Sequence, residues 1–211
     1  MRSYLVRHGE SVTNRTCRFA GQIDVPLTEL GEKQARCVTE FFKTVPLTAV
    51  HSSDLSRAMN TVAGAAAYHG LTVIPELELR EIYAGEWEGL VFDELPKRYP
   101  EDFDVWQTDI GNARCTGGES MVEAVARADA ALQRIAKQNP QGCVVAATHG
   151  GIVRGLLSLW KTGSTAAMKN VAWSPNAAIT EVVWENGKFC VVRESITEHL
   201  GDLVTELPKT V

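Results

Sequence analysis

Two apolar runs, far apart in the chain, each stop abruptly at a histidine followed by glycine. Tyr4-Leu5-Val6 runs into Arg7-His8-Gly9, and the stretch from Cys143 to Ala147 runs into Thr148-His149-Gly150-Gly151. Short apolar runs of this kind read as buried strands. Parallel strands of an open α/β sheet send their carboxyl ends to one edge, where ligands bind. The pattern predicts that His8 and His149 meet in one pocket, beside glycines that let backbone approach a ligand closely.

Between these runs, strand and helix signals alternate. Residues 11–23 have no clean period and read as a loop. Thr28 reads as an N-cap, with Glu29 and Glu32 in the first turn of a helix that Pro46 ends. Residues 48–51 form a brief strand, and Ser52-Ser53-Asp54 is expected to cap the next helix, which stops at Gly70. Residues 71–74 are a strand, 75–90 a loop, 91–99 a short helix ended by Pro100, and 100–118 irregular. A long helix starts after Ser120. Beyond His149 come a helix to about Trp160 and two strands joined at Asn186-Gly187, a good hairpin turn. Alternation of this kind argues for one α/β domain.

Composition narrows the function. The 211 residues are 45% hydrophobic, with 21 basic against 26 acidic side chains and a net charge of −5. Such a balance offers no footprint for nucleic acid and no basic membrane patch, so an anion site must be built locally from a few arginines. The five cysteines are odd in number and include no Cys-x-x-Cys pair. That argues against a disulfide framework and for a reducing compartment. With no signal segment and no run long enough to span a bilayer, the expectation is a cytoplasmic protein.

His8 carries the sharpest chemical signal. Imidazole serves as a general acid or base near neutral pH, or as a nucleophile that carries a covalent group. His8 and His149 are too few to hold a catalytic zinc, and no further histidine or acid spacing completes a ligand set. Arg7 and Arg57 tilt the choice toward phosphate, because guanidinium presents a fixed fork of donors to a phosphoryl group. Arg127 and Arg154 read as solvated helix-surface arginines. Glu81, Glu86 and Glu88 lie among apolar and aromatic neighbours, where one acid could hold a proton at neutral pH. The residues alone do not choose among the three.

The segment Leu5-Val6-Arg7-His8-Gly9-Glu10-Ser11-x-x-Asn14 resembles the signature of the histidine phosphatase superfamily, the phosphoglycerate mutase-like proteins. The likeness continues, in order, through Asp24-x-Pro26-Leu27-Thr28-x-x-Gly31, Ser52-x-Asp54-Leu55-x-Arg57-Ala58-x-x-Thr61 and Leu79-x-Glu81-x-x-x-Gly85-x-Trp87-Glu88-Gly89. Gly118-Glu119-Ser120 and Thr148-His149-Gly150-Gly151 complete it. The resemblance implies a three-layer αβα sandwich with a mostly parallel central sheet, one domain over 1–211 with a lid-like insertion around 82–118. It implies that His8 becomes phosphohistidine and that Arg7, Arg57 and His149 bind the phosphoryl group. Asn14 and Gly21 would contact substrate, and Glu81 would protonate the leaving oxygen and then activate water. Glu88 falls in the structural Trp-Glu-Gly block. No metal or other cofactor is implied.

The expected activity is phosphomonoester hydrolysis on a small phosphorylated metabolite. Cofactor-dependent phosphoglycerate mutase and a non-catalytic phospho-ligand binding module are the alternatives. The mutases carry a longer segment after the glutamate with paired arginines. No Arg-Arg pair occurs between 81 and 118, and Glu86-Trp87-Glu88-Gly89 is more similar to the broad-specificity and α-ribazole-phosphate phosphatases. The expected partner is a small-molecule phosphomonoester, with neither nucleic acid nor membrane, and a homodimer is one open assembly state. Phe92, Phe103 and Trp106 are read either as a wall for a ring substrate or, preferentially, as the core of a lid. His51, His69 and His199 are read as structural or surface residues.

Overall fold

Six strands form one sheet in the order β3-β2-β4-β1-β5-β6 in this computed structural model, which describes residues 1–205. The strands are β1 (Arg2–Arg7), β2 (Ala49–Ser52), β3 (Val73–Pro75), β4 (Cys143–Thr148), β5 (Ile179–Glu185) and β6 (Lys188–Ile196). β3, β2, β4 and β1 run parallel, and β5 and β6 return as an antiparallel hairpin. Asn186 and Gly187 both have positive φ, 51° and 78°, as a two-residue turn matched to strand twist requires. Residues 206–211 of the expected 1–211 unit lie outside the described residues.

Side-chain alternation along the strands builds the layers. Tyr4 and Val6 of β1 pack with Val38 and Phe42 of α2 (Glu29–Phe42) and with Val62 and Ala66 of α3 (Ser56–Tyr68). Leu5 faces the opposite way, into a core with Leu132 and Ile135 of α6 (Met121–Gln138) and Ile152 and Leu156 of α7 (Gly150–Thr162). The result is the three-layer arrangement with helices on both faces. Thr28 caps α2 by accepting from Gly31 N at 3.1 Å. Ser120 and Glu123 form a reciprocal capping box at the start of α6.

Three local expectations need correction. The 11–23 loop contains a helical turn, α1 (Val12–Arg15), because Ser11 and Asn14 cap each other's backbone. The 52–54 triplet caps nothing: α3 begins after Leu55, which makes no side-chain cap bond. Pro100 ends α4 (Leu95–Arg98), yet also opens α5 (Pro100–Thr108) at its first position, where a missing N–H costs nothing. Residues 100–108 are therefore helical rather than irregular. Phe103 and Trp106 of α5 are buried around Trp87, in the same core as α6 and α7. No helix among the described residues is long and apolar enough to cross a membrane.

Candidate active site

The parallel register places the two histidines. Arg7 pairs with Thr148 across β1 and β4, so the next residue on each strand leaves the sheet at the same level. His8 N donates to Thr148 O at 3.0 Å, and the His8 and His149 rings lie 5.1 Å apart edge to face. Both are buried. The chain must turn tightly here. A Cβ on Gly9 would sit 2.7 Å from Gly31 O, where α2 crosses beneath it.

His8 Nδ1 lies 2.7 Å from the Gly9 carbonyl oxygen. A carbonyl only accepts, so Nδ1 carries the proton and the neutral ring keeps its lone pair on Nε2. Burial, reinforced by the charges of Arg57 and Arg7, holds this imidazole well below its ordinary value of 6.5. Burial and Arg57 do the same to His149, with His8 adding to them. Ser53 Oγ is 2.8 Å from His149 Nε2.

Arg57 is wholly buried at the start of α3. It donates to Ile23 O at 2.7 Å and to Gly21 O at 2.9 Å. Gly21 thus aims the guanidinium through its own carbonyl. Arg7 donates to Ser174 O. Burial pulls Arg7 down to about 10, with Glu81 opposing that shift. Three buried nitrogens around His8 have no hydrogen-bond partner among the described residues: Arg7 Nε and Arg57 Nε, which can only donate, and His149 Nδ1. Buried donors are almost always paired, and unpaired charged ones are costly. An oxyanion bound beside His8 would supply what they lack.

Glu81 lies opposite the start of α7. Its Oε2 accepts from Gly151 N at 3.0 Å and its Oε1 from Ile82 N at 3.1 Å. A Cβ on Gly151 would stand 2.7 Å from the carboxylate. Two arginines fix the segment that carries it. Arg80 forks onto Asp54. Arg127 grips both Glu119 oxygens at 2.8 Å and donates to the carbonyls of Glu78, Arg80 and Glu81 at 2.7–2.8 Å. Arg127 is therefore a buttress, not a solvated surface residue. Arg154 is not solvated either: it stacks 4.7 Å from the Trp173 ring centre and donates to Val171 O at 2.6 Å. Glu88 accepts from Gln22 N at 2.7 Å and from Ala84 N at 3.3 Å, a loop-holding position. Glu86 accepts from the Tyr99 hydroxyl at 3.0 Å.

Arg7, His8, Asn14, Gly21, Arg57 and Glu81 line a cavity of about 560 Å³, whereas His149, wholly buried against the His8 ring, is not part of that lining. Phe19, Phe92, Trp106 and Trp173 line it as well. Trp106 thus serves both as core and as wall. His51, His69 and His199 stand apart from this lining: His51 meets Glu76 at 3.0 Å, His69 donates to Phe42 O at 2.8 Å, and His199 donates to Ala177 O at 3.1 Å. Ser53, Arg127 and Asn176 had no local sequence signal, since each acts on a partner far along the chain.

Residues 3–197 match the family model described as histidine phosphatase superfamily, branch 1. The chain belongs to this superfamily. A metal-independent phosphoserine phosphatase of Arabidopsis thaliana is 32% identical, over 94% of this chain and 83% of the relative. A probable phosphoglycerate mutase, GpmB, of Yersinia pestis is 36% identical over 74% and 72%. The vanadate complex of a mycobacterial glucosyl-3-phosphoglycerate phosphatase superposes with a TM-score of 0.83 at 29% identity, covering 92% of this chain and 98% of that one.

Proposed function

We propose that this phosphomonoester hydrolase of the histidine phosphatase superfamily works through phosphohistidine on His8. The observation that carries the reading is the His8 Nδ1 bond to Gly9 O, which leaves Nε2 unprotonated among unpaired cationic donors. His8 Nε2 attacks phosphorus, an N–P bond forms, and the ester P–O bond breaks. Glu81 gives its proton to the departing alkoxide. Water then attacks the phosphohistidine, Glu81 takes the proton back, and inorganic phosphate leaves with His8 restored. Arg7, Arg57, His149 and Asn14 hold the phosphoryl oxygens as charge spreads over them, the main source of catalysis in phosphoryl transfer.

The substrate is a small phosphorylated metabolite, with Phe92, Trp106 and Trp173 facing its non-phosphoryl part. The chain acts as one domain in which 82–118 supplies one wall, and it works in the cytoplasm without nucleic-acid or membrane partners. Hydrolysis is favoured over mutase chemistry by the absence of an Arg-Arg pair between 81 and 118. The test is an acid-free quench during turnover, followed by mass spectrometry. Phosphate on the peptide containing His8, and its loss in His8→Ala, is expected. Phosphate on another residue, or mutase turnover above hydrolysis after 2,3-bisphosphoglycerate priming, would overturn the reading.

A further inference from the structure

We propose that Asn176 is a positioning residue that turns the Asn14 amide so that its NH2 faces the phosphoryl oxygens. It rests on the phosphoryl-binding role proposed above for Asn14.

Two backbone groups with only one hydrogen-bonding sense fix the orientation of both amides. The His8 carbonyl can only accept, and Asn176 faces it at 3.2 Å, so the facing atom is Nδ2. The Ser11 N–H can only donate, and Asn14 faces it at 3.0 Å, so the facing atom is Oδ1. Asn176 Nδ2 also lies 3.1 Å from Asn14 Oδ1. Ser11 N and Asn176 Nδ2 together fill the two lone pairs of that oxygen, and Ser11 Oγ stands by at 2.9 Å. A flipped Asn14 would set its NH2 against two donors. In the observed orientation Asn14 Nδ2 has no acceptor among the described residues, and Asn14 lines the cavity beside His8.

Asn176 is itself held. Its N–H donates to Thr205 Oγ1 at 3.2 Å, and the Thr205 hydroxyl donates back to Asn176 Oδ1 at 3.2 Å. Asn176 is buried at the edge of the same cavity, and its bonds to the His8 carbonyl and the Thr205 hydroxyl hold its amide in this orientation. The result is a one-way chain of donors, from Thr205 through Asn176 and Asn14 into the phosphoryl site. The same Asn176 group grips the carbonyl of the nucleophile, a carbonyl that also accepts from Ala177 N at 3.1 Å.

The test is a double-mutant cycle read as kcat/KM and as the inhibition constant for inorganic phosphate. Asn14→Ala is expected to weaken both by about tenfold or more, as for a lost hydrogen bond to a charged group. Asn176→Ala is expected to weaken both by several-fold in the native background and by clearly less in Asn14→Ala, where only its bond to the His8 carbonyl is left to lose. Asn176→Asp keeps the shape but cannot donate, so it is expected to lose more than Asn176→Ala, the reverse of what a packing role gives. Equal losses from Asn176→Ala in both backgrounds would overturn the proposal while leaving the role of Asn14 intact. No loss in Asn14→Ala would instead sink the reading of Asn14. Thr205→Val, at the edge of the described chain, repeats the cycle should Asn176→Ala not fold; a loss that persists undiminished in Asn14→Ala counts against the proposal.

Discussion

Arg127, on α6, donates to the backbone carbonyl of Glu81 at 2.8 Å. The proposed proton donor is thus held from behind by a residue that never reaches the cavity. Arg127→Met removes the fork onto Glu119 and the bonds to three carbonyls. A misplaced catalytic group costs up to about a hundredfold, so kcat is expected to fall by about ten- to a hundredfold with KM little changed. Steady-state kinetics check this, and a raised KM at constant kcat would point to substrate binding instead.

Glu81→Gln separates proton donation from general disruption. An alkyl phosphate needs its leaving oxygen protonated, whereas p-nitrophenolate leaves largely unaided. The variant is expected to lose about 10²–10⁴-fold on the alkyl ester, the usual range for general acid catalysis, and clearly less on p-nitrophenyl phosphate. Matching losses on the two substrates would remove Glu81 from that role.

Arg57 spends its terminal nitrogens on the Gly21 and Ile23 carbonyls and keeps Nε free. Lysine has no such fork, so Arg57→Lys is expected to behave almost as poorly as Arg57→Ala. In the native protein, phosphate release is expected to survive EDTA, because the guanidiniums supply the positive charge. Loss of activity in EDTA that added divalent metal restores would contradict this.

Stability should depend on pH through the paired histidines. His8 and His149 titrate well below 6.5 when folded, whereas in the unfolded chain they titrate near the ordinary value. Below pH 6.5 the unfolded state therefore binds more protons, and acid favours it. Thermal midpoints are expected to fall as the pH drops from 7 through 6 to 5. The fall should be shallower in the His8→Ala/His149→Ala double variant. An unchanged slope would place the acid sensitivity elsewhere.

Trp87 joins the core to the cavity wall. It is fully buried, packs edge-on to Phe19 and Trp106 at 5.6 and 5.7 Å, and donates to Thr116 Oγ1 at 3.0 Å. Trp87→Ala is expected to cost about 3–5 kcal/mol in denaturant unfolding. KM should rise as well, because Phe19 and Trp106 lose their backing.

What the chain discloses of its fold and site depends on how local the cause is. The ends of β1 and β4 are legible because apolar runs and histidines sit side by side in the sequence, and the sheet register does the rest. The caps at Thr28 and Ser120 and the Asn186-Gly187 turn are equally local. Ser53 and Asp54 look like caps in the sequence, yet their side chains answer to His149 and Arg80, which only the folded chain brings near. Glu81 could not be separated from Glu86 and Glu88 by neighbours in sequence, since what distinguishes it is Gly151 N, 70 residues away. Asn176 lies 162 residues from Asn14 and carries no local pattern at all.

The Arg7–Thr148 register also divides the molecule's labour. The spacing of the two histidines is set by the pitch of the backbone ladder, whereas Phe92, Trp106 and Trp173 come from segments between and after those strands. Exchanging the wall leaves the ladder untouched. A library that varies these three aromatic positions should therefore yield enzymes that differ in which phosphate ester they prefer and agree in how they cleave it.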